Sequence, residues 1–152
     1  MKQIRILHIS DIHLDNDSKE DFNNLIQKPF FGTLKKETES KKIDLVFLTG
    51  DLINKGTGGF STTDEAFRSF NEIFLEPLQK VLSINKDDII ICPGNHDVNR
   101  TLDNPDDDKA LYEDAKDQKK LSEIIGTCRE IKAYPGLKKI LPFKSFEKDY
   151  YK

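Results

Sequence analysis

Three short apolar runs mark the first hundred residues: Ile4–Ile9 (I-R-I-L-H-I), Ile43–Leu48 (I-D-L-V-F-L) and Ile89–Cys92 (I-I-I-C). They are rich in aliphatic and β-branched residues and too short for buried helices, so they predict strands. Their near-continuous apolar character predicts a sheet covered on both faces. Helical patterns separate them. Over residues 18–40 Ser18 is the candidate cap, and Pro29 and Gly32 predict a broken helix or two short ones. Thr62-x-x-Glu65 is a capping box opening a helix over 64–82. In that helix Phe67, Phe70, Phe74, Leu78 and Val81 recur every three or four residues and form one core-facing stripe. Pro77 predicts a bend near Ile73. The alternation predicts an α/β fold whose β-α-β-α-β core is a parallel sheet with right-handed crossovers.

Past Arg100 the pattern changes. Asp103–Asp108 is an acidic turn whose carboxylates suit a helix start. Leu111, Tyr112, Leu121, Ile124, Ile125, Cys128 and Ile131 predict helical packing to about residue 132. Tyr134-Pro135-Gly136 ends it, and Phe143, Phe146 and Tyr150 begin a further helix within which the sequence stops. Residues 1–100 therefore read as the core, and 101–152 as a charged, mostly helical segment continuing the same domain; a length of 152 suits one domain. The net charge of −3 removes any global basic field for nucleic acid and leaves a local basic groove open. No basic-then-apolar leader and no long apolar stretch is present, so neither a signal peptide nor a membrane span is expected. Cys92 and Cys128 have neither metal-site nor disulfide-framework spacing. A reducing, cytoplasmic setting follows, with Cys92 as a small buried hydrophobe.

The chemistry lies where the strands end. The first runs into Ser10-Asp11-Ile12-His13, the second into Thr49-Gly50-Asp51, and the third into Pro93-Gly94-Asn95-His96-Asp97. Parallel sheets bind ligands just beyond the carboxyl ends of their strands, so three motifs converge on one rim. Asp11 and His13, two apart on an extended segment, are expected to point the same way. Carboxylate, imidazole and amide oxygen together suit Mn, Fe or Zn ions. Asp51, on the middle motif, is placed to bridge two of them. Two ions roughly 3.5–4 Å apart can clamp a phosphoryl group for in-line attack. Gly50 and Gly94 let the backbone turn sharply there. His8 reads as a core histidine. Asn54 and Arg100 read either as phosphate contacts, for which Arg offers a forked donor set, or as plain surface. The Gly-rich loop 55–63 lacks a Walker pattern and reads as a flexible lip of the site.

D-x-H (Asp11, His13), G-D (Gly50, Asp51) and G-N-H-D (Gly94–Asp97), in that order and each after a strand, resemble the calcineurin-like metallophosphoesterase family over about residues 3–100. The resemblance implies an α/β sandwich with a dinuclear centre of two divalent ions (Mn, Fe or Zn) and a metal-bound hydroxide. Asp11 and His13 would hold the first ion, Asp51 would bridge, and Asn95 would bind the second. His96 would meet the phosphate and assist the leaving group, with Asp97 orienting its ring; Asn95, His96 and Arg100 would contact substrate. The family pattern continues with a later histidine and a G-H-x-H motif. This chain has three histidines, His8, His13 and His96, and none after them. The expectation is a partial metallophosphoesterase sandwich, completed by a larger polypeptide or by self-association, with an apolar face where the other half would lie. The expected function is metal-dependent hydrolysis of a phosphoester. A phosphodiesterase or nuclease-like enzyme acting on nucleic acid or a nucleotide is favoured, because G-N-H-D-V-N-R resembles bacterial members of that kind. No membrane partner is expected. The alternative is a truncated or degenerate, non-catalytic partner-binding or regulatory module of the same fold.

Overall fold

A computed structural model describes residues 3–131 and 138–152. Three parallel strands, β1 (Ile6–Ile9), β2 (Leu45–Thr49) and β3 (Ile89–Cys92), form one open sheet in the order β1-β2-β3. Leu7 pairs with Val46, and Leu48 with Ile91, so the strands end level and their following loops meet at one rim. Side chains alternate across a strand, and the burial does too. Val46, Leu48, Ile89 and Ile91 are buried under the helices, with Leu7 and Ile9 packed beside them. Ile6, His8, Ile90 and Cys92 face outward and are exposed, while Leu45 and Phe47 on that face are half-buried. The sheet is therefore covered on one face among the described residues, not on both as the apolar runs predict. Those runs are apolar on each side because the second face is also apolar; among the described residues nothing covers it. Two expectations fall with it. His8 is an outward residue hydrogen-bonded to Thr49 Oγ1 at 2.6 Å, and Cys92 is exposed.

The covered face carries two long helices. Helix α1 runs unbroken through residues 19–38, and its middle, Phe22–Gln27, is a π turn. Helix α2 covers residues 63–82, with a π turn at Asn71–Leu75. In each, the residue after the π turn donates five positions back, Lys28 to Asn23 and Glu76 to Asn71, and a proline follows at once. Proline lacks an N–H and crowds the carbonyl four residues earlier. A widened turn just before Pro29 and Pro77 absorbs that misfit, so α1 continues where a break is predicted, and the distortion in α2 falls on Ile73. Thr62 caps α2, its Oγ1 accepting from the Glu65 N–H at 3.1 Å. The reciprocal arm of the box reaches one residue further back, Ser61 N–H donating to Glu65 at 3.2 Å. Ser18 makes no such cap; α1 opens without one.

Aromatic side chains weld these helices. Phe74 of α2 lies 5.6 Å from Phe31 and 6.0 Å from Phe30 of α1, ring centre to ring centre, and 5.5 Å from Phe70. Phe67 stacks at 4.8 Å on Phe146 of a further helix, α5 (Leu141–Tyr150). Between α2 and α5 the chain forms two helices that pack on each other, α3 (Pro105–Ala115) and α4 (Gln118–Ile131). Asn104 caps α3 through the Asp106 N–H. Tyr112, Leu121 and Ile125, expected as packing residues, keep 66%, 37% and 44% exposure, so this pair adds little to the core. Its base is held by Asp103, which is buried rather than part of an open acidic turn. The Asp103 carboxylate accepts the N–H groups of Lys138 and Lys139 at 3.1 and 3.3 Å. The predicted stop at Tyr134-Pro135-Gly136 lies outside the described residues. No helix among the described residues is long and apolar enough to cross a membrane.

Phe74→Ala should lower the unfolding free energy by about 3–5 kcal/mol, since it empties the junction of α1 and α2. Thr62→Ala should cost about 1 kcal/mol through the lost cap. Urea titrations followed by circular dichroism test both, and a smaller loss for Phe74 than for Thr62 would contradict this picture of the core.

Candidate metal centre

The rim is built by pairing that continues past the strands. The N–H groups of Asp11, His13 and Leu14 donate to the carbonyls of Gly50, Asp51 and Leu52 at 3.1, 2.8 and 3.0 Å. The Asn54 N–H returns to Leu14 O at 3.0 Å. Within this lattice Asp11, His13 and Asp51 take positive φ angles of 58°, 48° and 54°. That is a costly region for residues with a Cβ, reached here because the hydrogen bonds on both sides enforce it. Asp11 and His13 therefore converge through left-handed turns, not by alternation on an extended segment.

Close approach of β2 and β3 completes the rim. A Cβ on Gly50, whose φ is 96°, would sit 2.5 Å from the Cα of Gly94. A Cβ on Gly94 would collide with the Asp51 carboxylate and amide. Only two glycines allow the Gly50-Asp51 and Gly94-Asn95-His96 turns to touch.

Three ligand atoms meet at this contact. Those of His13, Asp51 and His96 all lie within 4.8 Å of one another. His13 Nε2 is 3.8 Å from Asp51 Oδ2 and 3.8 Å from Asp11 Oδ1. Two donors each about 2.1 Å from one ion can be at most about 4.2 Å apart, so both spacings suit a shared ion. Asp51 is more enclosed than His13 or Asp11, with 17% side-chain exposure against 37% and 68%. Its other oxygen accepts the His96 N–H at 3.0 Å, which ties the second motif to the third. Asn95 is exposed on the same turn.

The fold agrees with what the chain is similar to. A family model described as calcineurin-like phosphoesterase matches residues 4–149. The chain belongs to that family. It is also 24% identical over 104 residues to the uncharacterized metallophosphoesterase-like protein YydB of Bacillus subtilis (strain 168), covering 66% of this chain and 19% of that protein. The chain thus spans about a fifth of the length of this curated relative. Phosphoesterases of this family use divalent metal ions, and the His13/Asp51 grouping is chemically suited to one.

In this candidate site Asp97 has a different place from the one expected. It does not orient the His96 ring. Asp97 is fully buried, and its Oδ1 accepts the N–H groups of Leu52 and Ile53 at 2.8 and 3.0 Å. Its Oδ2 accepts the Gly94 N–H at 2.8 Å. Burial raises the Asp97 pKa above its ordinary value, and the amides of Gly94, Ile53, Leu52 and Asp51 pull against that rise. The group that meets the His96 ring is the backbone of Lys55. Its N–H donates to His96 Nδ1 at 3.3 Å, and the Gly56 N–H donates to the His96 carbonyl at 2.7 Å. A backbone N–H can only donate, so neutral His96 keeps its proton on Nε2. The ring then presents a donor rather than a second metal lone pair. Lys55 gave one signal in the sequence, its place in the Asn54-Lys55-Gly56 turn; its own φ is 47°. Asn54 is not free for substrate, since its amide donates to Asp15 at 2.9 Å. Arg100 lines a hollow of about 360 Å³ beside His96.

Gly94→Ala should cost more than about 3 kcal/mol and abolish divalent-ion binding, because the clash is with backbone and with a ligand. Asp97→Asn should cost about 1–3 kcal/mol, since one buried amide then faces a donor. Thermal melts of the two variants with and without Mn²⁺ check both. A wild-type melting temperature for either would refute the assignment.

Proposed function

We propose that this chain forms the front half of a phosphodiester hydrolase with two divalent ions, of the Mn, Fe or Zn class, at the strand ends. Asp11, His13 and Asp51 hold the first ion, and Asp51 with Asn95 contributes to the second. The observation that carries the reading is the convergence of His13, Asp51 and His96 within 4.8 Å, on backbone strained at Asp11, His13 and Asp51. Strain held in place by surrounding structure is a mark of functional sites. The bound ions supply Lewis-acid stabilisation of negative charge on the phosphoryl oxygens.

The chain's own groups do the rest. His96, with Nδ1 fixed by the Lys55 amide, offers its Nε2 proton to the oxygen leaving phosphorus. Asp97 acts through the backbone, holding the turns of Leu52, Ile53 and Gly94 so that Asp51 and His96 stay in register. The rest of the ligand set, for which this chain has no further histidine, comes from additional polypeptide or from another copy of the chain. That cover also meets the apolar sheet face of Ile6, Leu45, Phe47 and Ile90. A non-catalytic, partner-binding copy of the fold is disfavoured by the same strained turns, which cost stability.

The protein at its native length should hydrolyse bis(p-nitrophenyl) phosphate with Mn²⁺. His96→Ala should lower kcat by about 10²–10⁴. Asp51→Asn should remove Mn²⁺ binding in equilibrium dialysis, a readout independent of turnover. Absence of hydrolysis with every divalent ion tried would sink the enzymatic reading in favour of the binding module. Retained Mn²⁺ affinity in Asp51→Asn would sink the ligand assignment.

A further inference from the structure

The hollow beside His96 has a composition that the hydrolytic step does not require. Lys55, Asn95, Asn99, Arg100 and Thr101 line it with His96, so it holds two cations and no carboxylate. In a chain of net charge −3 this is a local reversal of sign. Neither Lys55 nor Arg100 forms an ion pair among the described residues. Both are also anchored at the backbone. Lys55 is held left-handed, with its own N–H and that of Gly56 spent on His96. A Cβ on Gly56 would come within 2.9 Å of Asn99 Cα, so the Lys55 turn lies hard against the segment that carries Arg100. Asn99 fixes that segment, accepting the Thr101 N–H at 3.1 Å and donating to Thr63 at 2.9 Å. A second hollow of about 490 Å³ shares Val98 and Arg100 with the first and continues past Asp103 and Lys139. The result is an extended track leaving the metal centre, not a closed pocket.

We infer that Lys55 and Arg100 form a subsite for the phosphate next to the scissile one on a single nucleic-acid strand. The inference rests on the phosphodiesterase reading and adds the substrate class: a polyanionic strand rather than an isolated diester. A small diester has nothing to place between two unpaired cations, whereas a strand brings a second phosphate at a fixed distance from the first. Arg100 offers a planar fork and Lys55 a point charge, both suited to phosphate oxygens. Val98, in both hollows, gives the track an apolar surface for a sugar or base.

The test is binding, without turnover, of a fluorescein-labelled oligothymidylate to the native-length protein in EDTA, read by fluorescence anisotropy. The wild type should bind with a salt-dependent Kd. The double variant Lys55→Gln/Arg100→Gln should bind about tenfold more weakly at 0.15 M salt, and its log–log salt slope should fall by about 1.4, as expected for two lost contacts to a single strand. The charge-keeping variant Lys55→Arg/Arg100→Lys should stay within threefold of wild type, which separates lost charge from lost fold. No binding by the wild type, or an unchanged Kd and slope in the double Gln variant, would overturn the subsite. The hydrolysis of bis(p-nitrophenyl) phosphate is a separate measurement, so either reading can fail alone.

Discussion

The contact between the ends of β2 and β3 sets the geometry of everything beyond the sheet. Two glycines bring the backbones together with no room for a side chain at either. Buried Asp97 then gathers the amides of Leu52, Ile53 and Gly94 on one carboxylate, bridging the turn after β2 to the turn after β3. Asp51 returns the link by accepting the His96 N–H. Burying a carboxylate is expensive, and three amide donors are what offset it. With this knot tied, β1 adds its own turn by pairing along the β2 loop, and His13 is delivered opposite Asp51.

The helices explain why the knot can hold strain. Left-handed Asp11, His13, Asp51 and Lys55 each cost about 1–2 kcal/mol, a sum that a bare loop would release by relaxing. Here the loops grow from a sheet clamped on one side by the Phe30, Phe31, Phe70 and Phe74 cluster and, through Phe67, by α5. The π turns ahead of Pro29 and Pro77 keep both helices continuous across that clamp. The opposite sheet face contributes no such support among the described residues, and the similarity to the curated relative covers 19% of that protein. Among the described residues the rim is thus supported from one side of the sheet.

Much of this was legible in the sequence, for a physical reason in each case. The three strands, the capping box at Thr62 and the Phe67/Phe70/Phe74 stripe follow from periodicity, and the site follows from polar residues placed after strands. What was not legible depends on tertiary contact. A sheet apolar on both faces gives the same run of Ile, Leu and Val whether one face or both are covered, so the sheet's cover, the exposure of Cys92 and the outward turn of His8 could not be read. Asp97 sits beside His96 in sequence, which suggests a side-chain pair; the tight Gly94 turn instead folds its carboxylate back into the protein. Lys55 enters through its amide, and backbone donors leave no trace in residue type.

The central claim is that His13 and Asp51 grip one divalent ion at the tied strand ends. Anomalous diffraction from crystals of the native-length protein grown with Mn²⁺ tests it most directly. The account predicts a peak within about 2.0–2.3 Å of both His13 Nε2 and an Asp51 carboxylate oxygen, with His96 Nε2 outside its coordination shell. A strand-end site without density, or an ion held by His96 Nε2 in place of His13, would contradict it.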